Sequence, residues 1–166
     1  TFTKASLKDY EKRLNKLKER ESFSTDYVTG TCLLAPEEAI RKVGMMREDY
    51  FLYYEDTDWS VKAREKGVMR IIIPSAFIWH KKSATNKEFS YNYIYYNTRN
   101  GLYFAWRNGN YWQKGFALAL AIVKLFKQPF KVFFPEKRPW IAPIIRGIID
   151  FLRGKTGKLY RHHTMK

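Results

Sequence analysis

Three carboxylates lie within four positions near the middle of the chain, at Glu55, Asp56 and Asp58. Four large aromatic residues flank them in sequence: Phe51, Tyr53, Tyr54 and Trp59. Carboxylates this close repel one another, and burial beside aromatic rings disfavours their charged forms. Such a group is suited to take a proton from a substrate hydroxyl or to hold a cation. We therefore predict a catalytic or ligand-binding site here.

The acidic residues also have a structural interpretation, because the sequence predicts a helix over 57–66. Asp56 or Thr57 could cap that helix, and Asp58 in its first turn would interact favourably with the helix dipole. Capping explains one or two of the acids but not three beside four aromatics. Asp56-Thr57-Asp58 also spells the D-x-D of nucleotide-sugar metal sites, which normally ends a strand. Since this one opens a helix, we favour a carboxylate directed by a helix N-terminus.

His80 ends a predicted strand and is the second candidate for site chemistry. A lone histidine is more often structural than a metal ligand. However, His80 and the carboxylates bracket one helix–strand–strand unit, and both could face a common cleft at the strand ends. Imidazole and carboxylate groups together would suit Mn²⁺ or Mg²⁺.

Composition and charge limit the class of protein. The 166 residues are 45% apolar and 17% aromatic, which suits an ordered domain. The lone cysteine, Cys32, excludes an intramolecular disulfide and fits a reducing compartment. The net charge of +15 is uneven: residues 25–98 are balanced, whereas 99–166 carry 14 basic against 2 acidic residues. That last third favours an anionic partner.

The chain divides into four predicted parts. Residues 1–24 form a peripheral charged helix, 25–86 an α/β catalytic part, 87–158 an aromatic and basic helical subdomain, and 159–166 a frayed tail. Within the second part we predict strand, bend and strand over 25–35, then a helix at 36–44 and strands at 68–74 and 76–80. The first of those two strands is predicted to be buried. Helices at 88–108, 111–126 and 139–152 follow.

The basic helices are predicted to lie on an anionic membrane surface. Basic and aromatic residues alternate there at helical spacing. The residues predicted to face the membrane are Trp112, Lys124, Lys127 and Arg146. The longest apolar run, 115–123, is about half the roughly 20 residues that a spanning helix needs. Nucleic-acid binding is the rival, but long aliphatic runs accompany these aromatics and are buried in lipid or protein more readily than they stack on bases. A helical subdomain that simply packs on its own core is also compatible.

In order, these segments resemble the C-terminal half of the inverting, family-two glycosyltransferases of the GT-A fold. They are most similar to bacterial rhamnosyltransferase-like and galactofuranosyltransferase-like enzymes of surface polysaccharide synthesis. The resemblance runs from about Asp26 to Lys158. The matching segments are 26–34, 43–44, 48–59, 63–67, 74–80, 98–100 and 145–151.

The resemblance implies specific roles. Asp56 would be the general base that deprotonates the acceptor hydroxyl, which displaces a nucleotide diphosphate from the donor sugar with inversion. His80 would join a Mn²⁺ or Mg²⁺ site. The acceptor, a glycan or lipid-linked sugar, would contact or be positioned by the remaining residues of the cluster, Glu55, Asp58, Tyr54 and Trp59. Such an enzyme would act in the cytoplasm, peripherally on the inner face of the bacterial cell membrane.

The chain departs from that family because the donor-binding half and its metal-binding aspartates are missing. We therefore expect either a fragment or a chain that has lost donor binding, inactive in isolation. The alternative function is a non-catalytic module that docks to a membrane or a protein partner. Nucleic-acid binding is not expected.

Overall fold

The described part of the chain is mainly helical. The structure is a computed structural model that describes residues 11–12, 15–16, 21–76, 78 and 90–159. It divides into two compact units: residues 1–44 with 60–80, and residues 45–59 with 81–166. The sequence analysis had instead grouped 45–59 with the segments on both sides of it.

The first unit contains a two-stranded ribbon and a short helix. Strand β1 (Phe23–Ser24) pairs antiparallel with strand β2 (Ile71–Ile72). Helix α1 (Glu37–Val43) has acidic residues in its first turn and basic residues in its last, and Gly44 ends it with a φ of 87°. That helix confirms the prediction for 36–44, because the charges complement the helix dipole and glycine tolerates the positive φ.

The first unit has less strand than the sequence predicted. The expected strand, bend and strand at 25–35 is replaced by a 3-10 turn, Gly30–Cys32. The prediction of a buried strand at 68–74 is wrong, because only Ile71–Ile72 pair and their side chains are 46% and 39% exposed. A β-branched run becomes a buried strand only where layers cover its faces, and this ribbon leaves its isoleucines open to solvent.

Several predicted elements lie wholly or largely outside the described residues. They include the strand at 76–80, the tail at 159–166 apart from Leu159, and most of the helix at 1–24. Residues 11–12 and 15–16 of that helix are helical. The predicted α/β fold and its GT-A arrangement stay predictions.

The second unit holds the longer helices. They are α3 (Tyr91–Asn108), α4 (Tyr111–Phe126), the short α5 (Gln128–Lys131) and α6 (Ile141–Leu152). A 3-10 turn, Pro135–Trp140, precedes α6. These helices confirm the predictions for 88–108, 111–126 and 139–152 to within three residues at each end. Local signals explain the agreement: the Ser90 side chain caps α3, and Asn110 forms a capping box with Gln113 at the start of α4.

Helix α3 packs closely against α6, and this contact organises the second unit. A Cβ atom at Gly147 of α6 would lie 3.0 Å from the Tyr95 carbonyl oxygen and 3.2 Å from the Arg99 backbone nitrogen. Glycine therefore allows the two backbones to approach. Leu102, Ala121 and Ile148 form the small buried core beside this contact.

Helix α2 (Glu55–Glu65) carries the acidic cluster. It begins two residues before the predicted start at Thr57, because the Tyr54 carbonyl oxygen already accepts a hydrogen bond from the Asp58 backbone N–H at 2.8 Å. All three acids therefore lie in the first turn of the helix.

Candidate functional site

The backbone immediately before helix α2 is strained. Phe51, Tyr53 and Tyr54 have φ values of 65°, 64° and 74°, a region that non-glycine residues rarely occupy. At Phe51, where ψ is −49°, the Leu52 N–H donates to the Tyr50 carbonyl oxygen at 2.9 Å and forms a γ-turn of the rare, positive-φ kind. Each such residue costs about 1–3 kcal/mol and persists only where the surroundings hold it. Residues 50–54 are called the strained turn below.

The side chain of Asn100 holds the strained turn. Its Nδ2 lies 2.9 Å from the Tyr50 carbonyl oxygen, 2.6 Å from that of Leu52 and 3.1 Å from that of Tyr53. Asn100 is fully buried. Three backbone carbonyls of the strained turn therefore converge on one buried amide.

Arg99, next to Asn100 on helix α3, adds a second contact to the strained turn. Its Nη2 donates to the Tyr50 carbonyl oxygen at 3.1 Å, and its Nε donates to the Asn100 side-chain oxygen at 2.9 Å. Its Nη1 donates to the Tyr95 hydroxyl at 3.2 Å and to the Gly157 carbonyl oxygen at 2.9 Å. Arg99 is 1% exposed, so a charge this deeply buried relies on these acceptors and on the rings of Tyr95 and Tyr96. Arg99 and Asn100 together are called the polar anchor.

Asp58 is buried within the second unit. It is 1% exposed, and its carboxylate accepts hydrogen bonds from the Tyr50 hydroxyl at 3.1 Å and from Asn108 Nδ2 at 2.9 Å. Arg47 Nε lies 3.3 Å from its other oxygen. Burial raises the pKa of the Tyr50 phenol against the opposing Arg107 hydrogen bond, and the Asp58 carboxylate adds to the rise. These contacts attach the first turn of α2 to residues on either side of it.

Asp56 and Glu55 are half-buried and differ from Asp58 in their contacts. The Asp56 carboxylate accepts a hydrogen bond from the Thr57 backbone N–H at 2.7 Å. Glu55 Oε2 is buried and has no hydrogen-bond partner among the described residues. Burial raises the pKa of the Glu55 carboxyl, and the charge of Asp56 raises it further. Carboxyl groups with a pKa shifted by burial and by a neighbouring acid are typical of functional sites.

A cavity of about 190 Å³ lies beside Tyr54. The carbonyl oxygen of Tyr54 accepts the first hydrogen bond of helix α2. Its walls are mostly small or aliphatic side chains of α3, α4 and α6, with Lys124 as the charged residue. The Tyr54 hydroxyl would lie 3.0 Å from a Cβ atom at Gly101, so glycine makes room for the ring. The lining residues are Tyr54, Asn97, Thr98, Gly101, Leu102, Ala117, Leu120, Ala121, Lys124 and Ile148.

The structure brings part of the predicted site together. Glu55, Asp56 and Tyr54 lie at one helix start, whereas Trp59 is buried and only 5% exposed. His80 lies outside the described residues. Among the residues that are described, no three His, Cys, Asp or Glu side chains group closely enough to hold a metal ion. The roles of the predicted residues in binding acceptor and metal stay predictions.

The residues predicted to face a membrane have different surroundings. Trp112 is 88% exposed, and Lys124 and Lys127 are also exposed. The Arg146 side chain is 45% exposed and its Nε lies 2.7 Å from the buried carboxylate of Asp150. Burial would raise the pKa of Asp150, but hydrogen bonds from Arg146 and Tyr95 hold it below the ordinary value. No helix in the described ranges is both long and apolar enough to cross a bilayer.

Sequence analysis missed the residues that hold the site in place. Arg99, Asn100 and Asn108 were not among the candidate site residues, although 98–100 is one of the segments that carry the resemblance. The available signal was a run of four polar residues, Asn97-Thr98-Arg99-Asn100, in a helix rich in aromatic residues. Polar residues in such a helix indicate either a solvent-exposed face or buried partners, and here the partners are backbone carbonyls.

Comparison with known proteins adds distant relatives. The chain is 23% identical over 146 residues to the low-salt glycan biosynthesis hexosyltransferase Agl10 of Haloferax volcanii, which covers 85% of this chain and 47% of that protein. It is 27% identical over 88 residues to the N-acetylglucosaminyl-diphospho-decaprenol L-rhamnosyltransferase of Mycobacterium tuberculosis, which covers 52% of this chain and 29% of that enzyme. No protein-family model matches the chain, and neither does any solved structure.

Both relatives are named as transferases of a sugar, so the predicted similarity to glycosyltransferases is confirmed at that level. The chain spans about half the length of the Haloferax relative and less of the mycobacterial one.

Proposed function

We propose that this chain carries the acceptor-side catalytic part of an inverting glycosyltransferase. It would transfer a sugar from a nucleotide-sugar donor to a glycan or lipid-linked acceptor, on a domain of the GT-A type. The observation that carries the proposal is the half-buried Asp56 at the start of helix α2, directly after a strained turn that buried polar contacts hold. Strained backbone held in this way clusters at active sites.

In the proposed reaction Asp56 accepts the proton of the acceptor hydroxyl. The hydroxyl oxygen forms a bond to the anomeric carbon of the donor sugar from the face opposite the leaving group. The bond from that carbon to the diphosphate oxygen breaks, and the nucleoside diphosphate leaves with the bonding electrons. The configuration of the anomeric carbon is therefore inverted.

The neighbouring residues receive supporting roles. Glu55 would bind or orient the acceptor in its protonated or hydrogen-bonded form, because its buried oxygen has no partner among the described residues. Tyr54 would form part of the acceptor-binding surface. Asp58 and Trp59 are too deeply buried to meet an acceptor in this conformation, so they would act through the position of α2.

A divalent ion, Mn²⁺ or Mg²⁺, is expected to neutralise the leaving diphosphate in an enzyme of this type. The described residues do not form a set of ligands for it. The predicted ligand is His80, outside the described residues, and no step above depends on the metal.

The test is transfer by the complete gene product, measured as nucleoside diphosphate released from a panel of nucleotide-activated hexoses and rhamnose. The acceptors are lipid-linked N-acetylglucosamine and polysaccharide. Asp56→Asn should lower kcat by about 10²–10⁴-fold, the usual contribution of a general base. Glu55→Gln should lower it less. Glu65→Gln, at the exposed end of the same helix, is the matched control and should leave turnover unchanged. Wild-type turnover in Asp56→Asn would exclude the assignment.

We also propose that the protein binds the inner, cytoplasmic face of a bacterial membrane through helix α4 and the segment after it. The supporting observation is their exposure: Trp112, Phe116 and Phe126 are 88%, 67% and 73% exposed beside exposed lysines. Patches of this composition suit an anionic bilayer surface. If the wild-type protein transfers no sugar from any donor while membrane binding is strong, the alternative function of a non-catalytic docking module is favoured.

A further inference from the structure

The structure assigns Asn100 a positioning role: its side-chain amide sets the backbone that directs Asp56, and Arg99 orients that amide. This inference rests on the proposed function. Asn100 lies on helix α3, 47 residues from Tyr53 and 50 from Tyr50 in the strained turn. Its described hydrogen bonds to the turn are all to backbone carbonyl oxygens. It would therefore act through the backbone alone.

The first step is the convergence of carbonyls. The oxygens of Tyr50, Leu52 and Tyr53 all lie within 3.1 Å of one nitrogen. Carbonyl dipoles that point at one another repel, so this arrangement needs a hydrogen-bond donor at its centre. Asn100 supplies two N–H groups there.

The second step is the orientation of the amide. An asparagine side chain could present either its oxygen or its nitrogen to the strained turn. Arg99 Nε donates to the Asn100 oxygen at 2.9 Å, and a guanidinium has no acceptor. The nitrogen must therefore face the carbonyls. Arg99 is itself fixed by the Tyr95 hydroxyl and the Gly157 carbonyl oxygen.

The third step connects the strained turn to Asp56. Tyr53 and Tyr54 both have positive φ, and the Tyr54 carbonyl oxygen accepts the first hydrogen bond of helix α2 from the Asp58 N–H. If the strained turn relaxed to negative φ, the start of α2 would move and rotate, and Asp56 in its first turn would move with it. A misplacement of about 1 Å can reduce a rate by about 10²-fold.

The experiment first removes the side-chain amide of Asn100, and a second substitution then relieves the backbone strain at Phe51. Asn100→Ala in the complete gene product should lower kcat for sugar transfer by about 10–100-fold. The KM for the nucleotide sugar should stay unchanged, since donor contacts are not altered. Hydrogen exchange should become faster at the Leu52 and Asp58 amides and stay slow in the core between α3 and α6. If Asn100→Ala does not fold, Asn100→Ser, which keeps one donor, takes its place.

Rescue by glycine separates positioning from general loss of structure. Phe51→Gly removes the steric cost at a φ of 65°, so adding it to Asn100→Ala should recover much of the lost kcat. Phe51→Ala removes the same ring, which contacts Tyr96, but keeps the Cβ atom and should not rescue. Equal recovery by both variants, or a wild-type kcat in folded Asn100→Ala, would overturn the inference.

The exchange measurement keeps this inference distinct from the proposed function. If wild-type protein transfers no sugar from any donor while the amides of Asn100→Ala exchange faster, the proposed function fails and Asn100 is left as a structural contact only. If transfer and its dependence on Asp56 are intact, but Asn100→Ala changes neither kcat nor the rate of hydrogen exchange, only the positioning role fails.

Discussion

Polar side chains are usually exposed and apolar ones buried, but the polar anchor and the surface of helix α4 each depart from this distribution. At the anchor, Arg99 and Asn100 are almost completely buried and their partners belong to the same chain. Along 111–134, large apolar and aromatic side chains are exposed. We call these exposed side chains the outer surface. Buried polar groups are tolerated because the chain satisfies them, whereas exposed apolar groups at this density mark a contact site for something else. The first region thus defines an internal geometry, and the second indicates an external partner.

Stability measurements should separate the interior from the outer surface most clearly. Ile148→Ala creates a cavity in the core, where Ile148 is 3% exposed, and should lower the free energy of unfolding by about 2–5 kcal/mol. Phe116→Ala removes a larger side chain that is 67% exposed and should change it by less than about 0.5 kcal/mol. Urea denaturation of both variants gives the two values. A comparable loss for Phe116→Ala would mean that the outer surface is packed within the folded protein.

Alanine substitutions of the neighbouring acids Asp58 and Asp56 should differ almost as strongly in their effect on the free energy of unfolding. Asp58→Ala removes the carboxylate that accepts from the buried Tyr50 hydroxyl and should cost about 2–3 kcal/mol. The Asn108 amide loses one of its two acceptors and keeps the Phe104 carbonyl oxygen. Asp56→Ala should cost less, under about 1 kcal/mol, because Asp56 is half-buried where Asp58 is 1% exposed. Thermal melts of both variants make the comparison. If the order were reversed, the division into a structural and a catalytic acid would be wrong.

Vesicle-binding assays test whether the partner of the outer surface is an anionic membrane. Replacing Lys124 and Lys127 by Gln should weaken binding to vesicles containing phosphatidylglycerol by about 1 kcal/mol each, or roughly fivefold. Lys66→Gln, at an exposed position in the first unit, is the control and should have little effect. Binding measured by flotation should weaken as the salt concentration rises, because salt screens the charges. The apolar side chains should give a part of the binding that resists salt. Equal binding to neutral vesicles would argue against an anionic surface, and a preference for RNA or DNA would restore the nucleic-acid alternative.

The smallest expected effect concerns Glu55 and pH. Its pKa is raised by burial and by Asp56, so the folded state favours the protonated form. Stability from this group is fully present below the ordinary pKa of a glutamate and is lost as the pH rises through the raised value. Glu55→Gln should therefore raise the melting temperature slightly at pH 7, and the difference should vanish in acid. A constant difference between pH 3 and 8 would contradict this pKa shift.

Elements that depend on neighbouring residues could be predicted from the sequence. Helix α4 has the predicted bounds because Asn110 and Gln113 cap it locally and Pro129 follows its end. The strained turn could not be predicted, since aromatic residues do not favour positive φ and its cause, Asn100, lies about 50 residues away. The deep burial of Asp58, in contrast to the half-buried Asp56, could not be predicted for the same reason. Their difference depends on Asn108, which is 50 residues from Asp58.

The segment at 157–159 has a consequence for how the protein is made. Gly157 donates to the Asp49 carbonyl oxygen at 2.6 Å and accepts from Arg99, and the Leu159 N–H donates to the Tyr96 hydroxyl at 2.7 Å. Arg99 and Gly157 are separated by 58 residues, so closing this contact is a late and entropically costly step. During translation the guanidinium that orients Asn100 would lack one of its acceptors until residue 157 has left the ribosome. The geometry around Asp56 would then be completed only after residue 157 has emerged, long after the residues of helix α2 have been synthesised.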